Sequence, residues 1–134
     1  FPLMPEVESL LRYLNRLGVP LAVATGASRG EVASSLEKHR LESYFSAVVS
    51  KDDVLRNKPA PDVYHLAAQK LGIDSKLCVA IEDSDNGEKA ARAAGMRCLR
   101  FQHRGPTPSD ERFTCYTTLQ RWFEERLPGS ASTS

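Results

Sequence analysis

The chain has 134 residues, 41% of them hydrophobic, with 18 Lys and Arg against 17 Asp and Glu, a formal charge of +1. That is one domain or slightly less by length, without the basic excess of a nucleic-acid binder or the self-repelling charge of a disordered chain. No apolar run approaches the ~20 residues of a membrane-spanning helix, so neither nucleic acid nor a membrane is an expected partner.

The chain opens Phe1-Pro2 without an initiator methionine, and we expect further sequence upstream. Pro5 and the acidic Glu6 and Glu8 suit the start of a helix, whose buried face would be Val7, Leu10, Leu11, Leu14 and Leu17, with Gly18 as its stop. The continuous apolar run 19–25 fits a parallel strand covered on both faces. Thr25-Gly26-Ala27-Ser28 reads as a turn, 29–39 as a short helix with Val32 and Leu36 inward, and 45–50 as a second strand. After a polar loop over 51–61, Pro61-Asp62 opens a helix with Val63, Leu66, Ala67 and Leu71 on one side, closed by Gly72. Residues 77–81 read as a third strand ending in Glu82-Asp83. An Ala-rich helix over 86–94 follows, then Gly95, a fourth strand over 96–101 and a Gly/Pro loop over 103–108. The last helix spans about 117–127 with Leu119, Trp122, Phe123 and Leu127 as its apolar face. A stripe of that kind serves core packing more often than a partner. Residues 128–134 read as a flexible tail, leaving 1–127 as the core.

Three cysteines, Cys78, Cys98 and Cys115, have no CxxC or zinc-finger spacing, and two of them sit in runs that read as buried strands. This argues against a disulfide framework and for a reducing, cytoplasmic setting. His39, His65 and His103 are scattered and read as surface or loop residues. Arg97, Arg100 and Arg104 read as solvated charge in preference to phosphate contacts.

Strands alternating with helices predict an α/β domain with a parallel sheet and helices on both faces. Ligands of such sheets sit beyond the carboxyl ends of the strands, which directs attention to Thr25, the stretch 51–53 and Glu82-Asp83. Each is ambiguous alone. Glu82-Asp83-Ser84 is either a helix cap or a pair of hard oxygen ligands for Mg²⁺. Lys58, in Asn57-Lys58-Pro59-Ala60-Pro61-Asp62, is either a solvated lysine or a fixed charge for an anion. Thr25-Gly26 is either a simple turn or a place where backbone N–H groups face an anion.

The ordered set is more specific than its parts. An apolar strand ending in Thr25, then Lys58-Pro59-Ala60-Pro61-Asp62, then a strand ending in Glu82-Asp83-Ser84-Asp85-Asn86-Gly87 and a helix closing Ala94-Gly95-Met96 resembles the haloacid dehalogenase superfamily, in its branch of sugar-phosphate phosphatases and β-phosphoglucomutase-like enzymes. The resemblance covers about residues 4–101. It implies a three-layer Rossmann-like core and Mg²⁺-dependent phosphoryl transfer to an aspartate, acting on a small phosphorylated metabolite. Thr25, with the backbone of Gly26 and Ala27, would hold the phosphoryl oxygens, Lys58 would offset their charge, and Asp83 with Glu82 would hold the metal. The family's first motif, Asp-x-Asp-Gly-Thr, is not found in the chain. Asp83-Ser84-Asp85 has a superficial Asp-x-Asp form, but its surroundings match the fourth motif. The resemblance therefore implies a core that is incomplete on its amino-terminal side and lacks both the attacking aspartate and the cap. A central strand would be missing between those ending at Thr25 and Glu82, so their inner edges would be open, close on each other, or take a strand from a second copy or another chain. As it stands the chain would be inert, or would serve as a phosphate- and Mg²⁺-binding module.

Overall fold

The computed structural model describes residues 5–101 and 112–127. The predicted loop over 103–108, His103, Arg104 and the tail 128–134 lie outside them.

Helix α1 (Pro5–Arg16) buries Val7, Leu10, Leu11 and Leu14 and ends before Gly18, whose φ of +76° is a left-handed stop that a side chain would strain. Leu17 falls beyond the last turn and is exposed, so it leaves the predicted stripe. Strand β1 (Ala22–Ala24) is followed by α2 (Arg29–Lys38). A reciprocal capping box opens that helix: Ser28 Oγ accepts from Glu31 N at 3.2 Å and Ser28 N donates back to Glu31 at 3.4 Å. Next come β2 (Ala47–Val49), α3 (Asp62–Leu71) and β3 (Val79–Glu82). Helix α4 (Asp85–Ala93), β4 (Arg97–Phe101), β5 (Arg112–Phe113) and α5 (Tyr116–Arg126) complete the order. The predicted helices and strands are all present, with shorter strands. The two-residue β5 was not predicted, being too brief to carry a hydrophobic period.

Among the described residues all pairings are parallel, but they form two separate ladders. One joins β1 to β2 with Ala22 opposite Ala47, and the other runs β3–β4–β5 with Val79 opposite Arg97. Among the described residues no strand lies between β1 and β3. Alternation along the strands feeds two cores. On one face Val23, Leu99 and Phe101 join α1, α2 and α5. On the other Val49, Ala80 and Cys98 join α3 and α4. These are the three layers expected of an α/β domain.

Strand β3 departs from the expected burial. Ala80 and Glu82 are covered by the α3/α4 layer, while Val79 and Ile81, on the opposite face, are 40% and 39% exposed. Cys78 sits just before β3 and is half-buried, not inside a buried strand, whereas Cys98 is fully buried as predicted. No disulfide joins Cys78, Cys98 and Cys115. Among the described residues no helix is long and apolar enough to cross a membrane.

Arg97 is exposed, as the sequence reading expects, with its guanidinium 5.0 Å from the Trp122 ring centroid. Arg100 is not solvated: its side chain is 13% exposed and its guanidinium bonds Asp85 at 2.8 Å and Glu88 at 3.1 Å. Strand alternation aims Arg100 at the α4 layer, and the first turn of that helix brings both carboxylates to it.

Candidate active site

The carboxyl ends of β1, β2 and β3 converge on the residues that the motif order singled out. Thr25 N donates to Val49 O at 2.9 Å, extending the β1–β2 ladder by one bond. Its hydroxyl accepts from Ala27 N at 3.1 Å, so one of the two amides expected to face an anion is engaged within the turn. Gly26 has an ordinary φ, and a Cβ built there would meet nothing within 4 Å. The glycine leaves its backbone open to approach.

The turn is pinned from the following loop. Lys51 N donates to Ala27 O at 3.1 Å and Arg29 N to Asp52 Oδ2 at 2.8 Å. Ser50 is fully buried; its N–H and hydroxyl both donate to Asp53 Oδ2, at 2.8 and 3.0 Å. The Arg29 guanidinium takes the other Asp53 oxygen. The Asp53 carboxyl is thereby drawn down to about 2, first by the Ser50 N–H, then by Arg29 and the Ser50 hydroxyl. Because the folded value lies below the ordinary carboxylate value of about 4, this contribution is complete above that pH and lost as pH falls through about 2. Asp53→Asn should therefore unfold at lower urea than wild type at neutral pH, and the two midpoints should converge as pH drops from about 4 toward 2. Midpoints that stay parallel across that window would show that Asp53 is not held in this way.

Lys58 sits between the loop and α3 and is neither solvated nor loose. Its side chain is 15% exposed, its ammonium donates to Ala24 O at 3.2 Å, and it pairs with Glu82 Oε2 at 2.5 Å. It thus ties the end of β1 to the end of β3 across the gap between the ladders. An ammonium has three donors, and among the described residues two of them are accounted for by Ala24 O and Glu82. Glu82 is 7% exposed. The same Oε2 accepts from the Tyr64 hydroxyl, and Tyr64 also places its ring 5.2 Å from the Lys58 nitrogen. Burial, then the charge of Glu82, push the Tyr64 hydroxyl far above its usual range, so it remains a donor.

The choice between cap and metal ligand divides between neighbours. Ser84 is the cap of α4, its Oγ accepting from Gly87 N at 3.0 Å. Glu82 is turned into the protein, while Asp83 is exposed at the end of β3. A carboxylate in that position suits Mg²⁺ chemically. Among the described residues, however, no three His, Cys, Asp or Glu gather around a common point, and one Glu82 oxygen already answers Lys58 and Tyr64.

Tyr64, Ser50 and Arg29 are the residues that sequence reasoning passed over, while Asp53 lies in the stretch 51–53 that it did mark. For Tyr64 a signal existed: the buried stripe of α3 is Val63, Tyr64, Ala67 and Ala68. The predicted stripe shares Val63 and Ala67 with it but completes the face with Leu66 and Leu71, which are only half-buried.

Residues 1–101 match the family model of haloacid dehalogenase-like hydrolases. The chain belongs to that family. Fructose-1-phosphate phosphatase YqaB of Escherichia coli is 50% identical over 78 residues, covering 58% of this chain and 41% of the relative. Among solved structures, a β-phosphoglucomutase-like protein of Thermotoga maritima superposes with a TM-score of 0.84 at 27% identity, covering 92% of this chain and 61% of that one. CbbY of Rhodobacter sphaeroides in complex with phosphate superposes with a TM-score of 0.70 at 33% identity, covering 81% and 52%. The chain thus spans roughly half the length of these haloacid dehalogenase-like relatives.

Proposed function

We propose that the chain carries the phosphate-holding and metal-holding part of a Mg²⁺-dependent phosphohydrolase acting on a small phosphorylated metabolite, with a sugar phosphate as the substrate class. The attacking aspartate would come from sequence outside these 134 residues. The observation that carries this reading is Lys58, a nearly buried ammonium fixed by Ala24 O and Glu82 at the ends of two strands, beside Thr25. The likeness to a fructose-1-phosphate phosphatase and to a phosphate-bound CbbY supports the substrate class.

In this reading the phosphoryl group lies over the Thr25 turn. Lys58 offsets its charge, and the open backbone of Gly26 lets it approach. Asp83, with Glu82 beside it, would hold Mg²⁺, and the ion would supply further positive charge to the phosphoryl oxygens. The outside aspartate forms an O–P bond as the bond from phosphorus to the sugar oxygen breaks, and water later cleaves the acyl phosphate. The open edges of β1 and β3 would pair with a strand from outside these residues or from a second copy. Three cysteines without a disulfide suit a cytoplasmic setting.

Titration calorimetry with inorganic phosphate and with fructose 1-phosphate, in Mg²⁺, tests the site. Saturable binding weakened about tenfold or more by Lys58→Ala is expected, as one charge-assisted contact is lost. With p-nitrophenyl phosphate the chain should turn nothing over, while the same chain extended upstream along its natural reading frame should. Robust turnover that survives both Lys58→Ala and Asp83→Ala overturns the proposal. A binding module without chemistry is the second reading, favoured by the lack of an Asp-x-Asp-Gly-Thr segment in the 134 residues. Binding without turnover by the extended chain would decide for it.

A further inference from the structure

Glu82 is a buried carboxylate whose position is dictated from three sides. Lys58 and the Tyr64 hydroxyl both reach Oε2. Behind it, Gly87 leaves the space that the carboxylate fills: a Cβ there would lie 2.6 Å from Oε2 and nearer still to Oε1 and Cδ. Gly87 has no positive φ to explain it, so the absence of a side chain serves the seat of Glu82. Tyr64 touches both members of the ion pair, one by its hydroxyl and the other by its ring face. A lysine on a flexible four-carbon stem has no fixed direction of its own. A carboxylate held by two donors supplies one.

We infer that Tyr64 is a positioning residue for Lys58: by anchoring Glu82 in the seat left by Gly87, it sets where the Lys58 ammonium stands between β1 and β3. The value of Lys58 to a phosphate rests on the function proposed above, but its placement does not.

The test is competitive acylation of lysines with acetic anhydride at one pH, read residue by residue by mass spectrometry on the whole chain. Lys38, Lys51, Lys70, Lys76 and Lys89 are exposed and serve as internal references, while Lys58 is half-buried. In wild type Lys58 should react more slowly than the other five. Tyr64→Phe keeps the ring and removes the hydroxyl. It should raise the Lys58 rate about fivefold relative to the references, the order of one charge-assisted hydrogen bond partly replaced by water. Gly87→Ala is favourable to helix formation and displaces Glu82 from the opposite side, so it should produce the same selective rise. Tyr13→Phe removes a buried hydroxyl that has no hydrogen-bond partner among the described residues and should leave the Lys58 ratio unchanged. A ratio that stays at the wild-type value in both Tyr64→Phe and Gly87→Ala, or that rises equally at all six lysines, overturns the inference. Phosphate titration of the same proteins separates this from the functional reading. If wild type binds no phosphate while the acylation pattern appears, the function fails and the positioning stands. If phosphate binds but the pattern is absent, the reverse holds.

Discussion

Lys58→Ala is expected to lower the free energy of unfolding by about 3–5 kcal/mol, the cost of stranding one member of a buried ion pair. The size of the effect comes from Glu82. At 7% exposed it cannot recover water when Lys58 leaves, and the Tyr64 hydroxyl alone does not neutralise it. The loss should therefore belong to the stranded charge and not to the missing side chain. Adding Glu82→Gln removes that charge while retaining an oxygen that accepts from Tyr64, so the double variant should recover most of the stability. Urea midpoints of wild type, both single variants and the double variant measure this. A loss under about 1 kcal/mol for Lys58→Ala would mean that the pair behaves as a solvated surface contact. The double variant should recover stability but not phosphate binding, because the cation is gone in both. Fold and ligand affinity thus respond differently to the same pair of residues.

Leu119→Ala should cost a comparable amount, about 2–5 kcal/mol, for an unrelated reason. Leu119 is fully buried on α5 within the cluster that includes Leu10 and Leu14 of α1 and Leu99 of β4. The neighbouring turn is held by Phe101 and Tyr116, stacked with ring centroids 4.5 Å apart, so the helix has little freedom to sink into the space left behind. Removing the side chain forfeits transfer energy and leaves a cavity that the surroundings fill only in part. Leu119 belongs to the α1/α5 layer, opposite the layer that holds Tyr64, so phosphate affinity and the Lys58 acylation ratio should be unchanged under conditions where the variant is folded. A loss below about 1 kcal/mol would show that α5 repacks freely over β4.

The strands and helices were legible because each announces itself locally. Apolar runs, helix-spaced leucines and glycines at 18, 72 and 95 act within a few residues, and those three glycines all adopt positive φ. Lys58, Thr25 and the Glu82-Asp83 pair were found by their order along the chain. Their partnerships were not legible. Lys58 meets a carboxylate 24 residues away and Tyr64 reaches the same oxygen across 18, distances over which no periodicity speaks. For the same reason Arg100 read as a surface charge, since the acidic turn that claims it lies on another element. The sequence pairs Glu82 with Asp83 as neighbours; the fold turns Glu82 inward and leaves Asp83 outside.

Within a ladder, backbone hydrogen bonds hold neighbouring strands about 4.8 Å apart, whatever the side chains are. Among the described residues no ladder joins β1 and β3, and Lys58 spans the opening at its carboxyl end. Within these described residues alone, the width of the site is therefore a side-chain dimension. It works as a calliper whose jaws are Ala24 O and Glu82 and whose gauge is one ammonium, so a substitution at Lys58 recalibrates the opening as well as changing its charge.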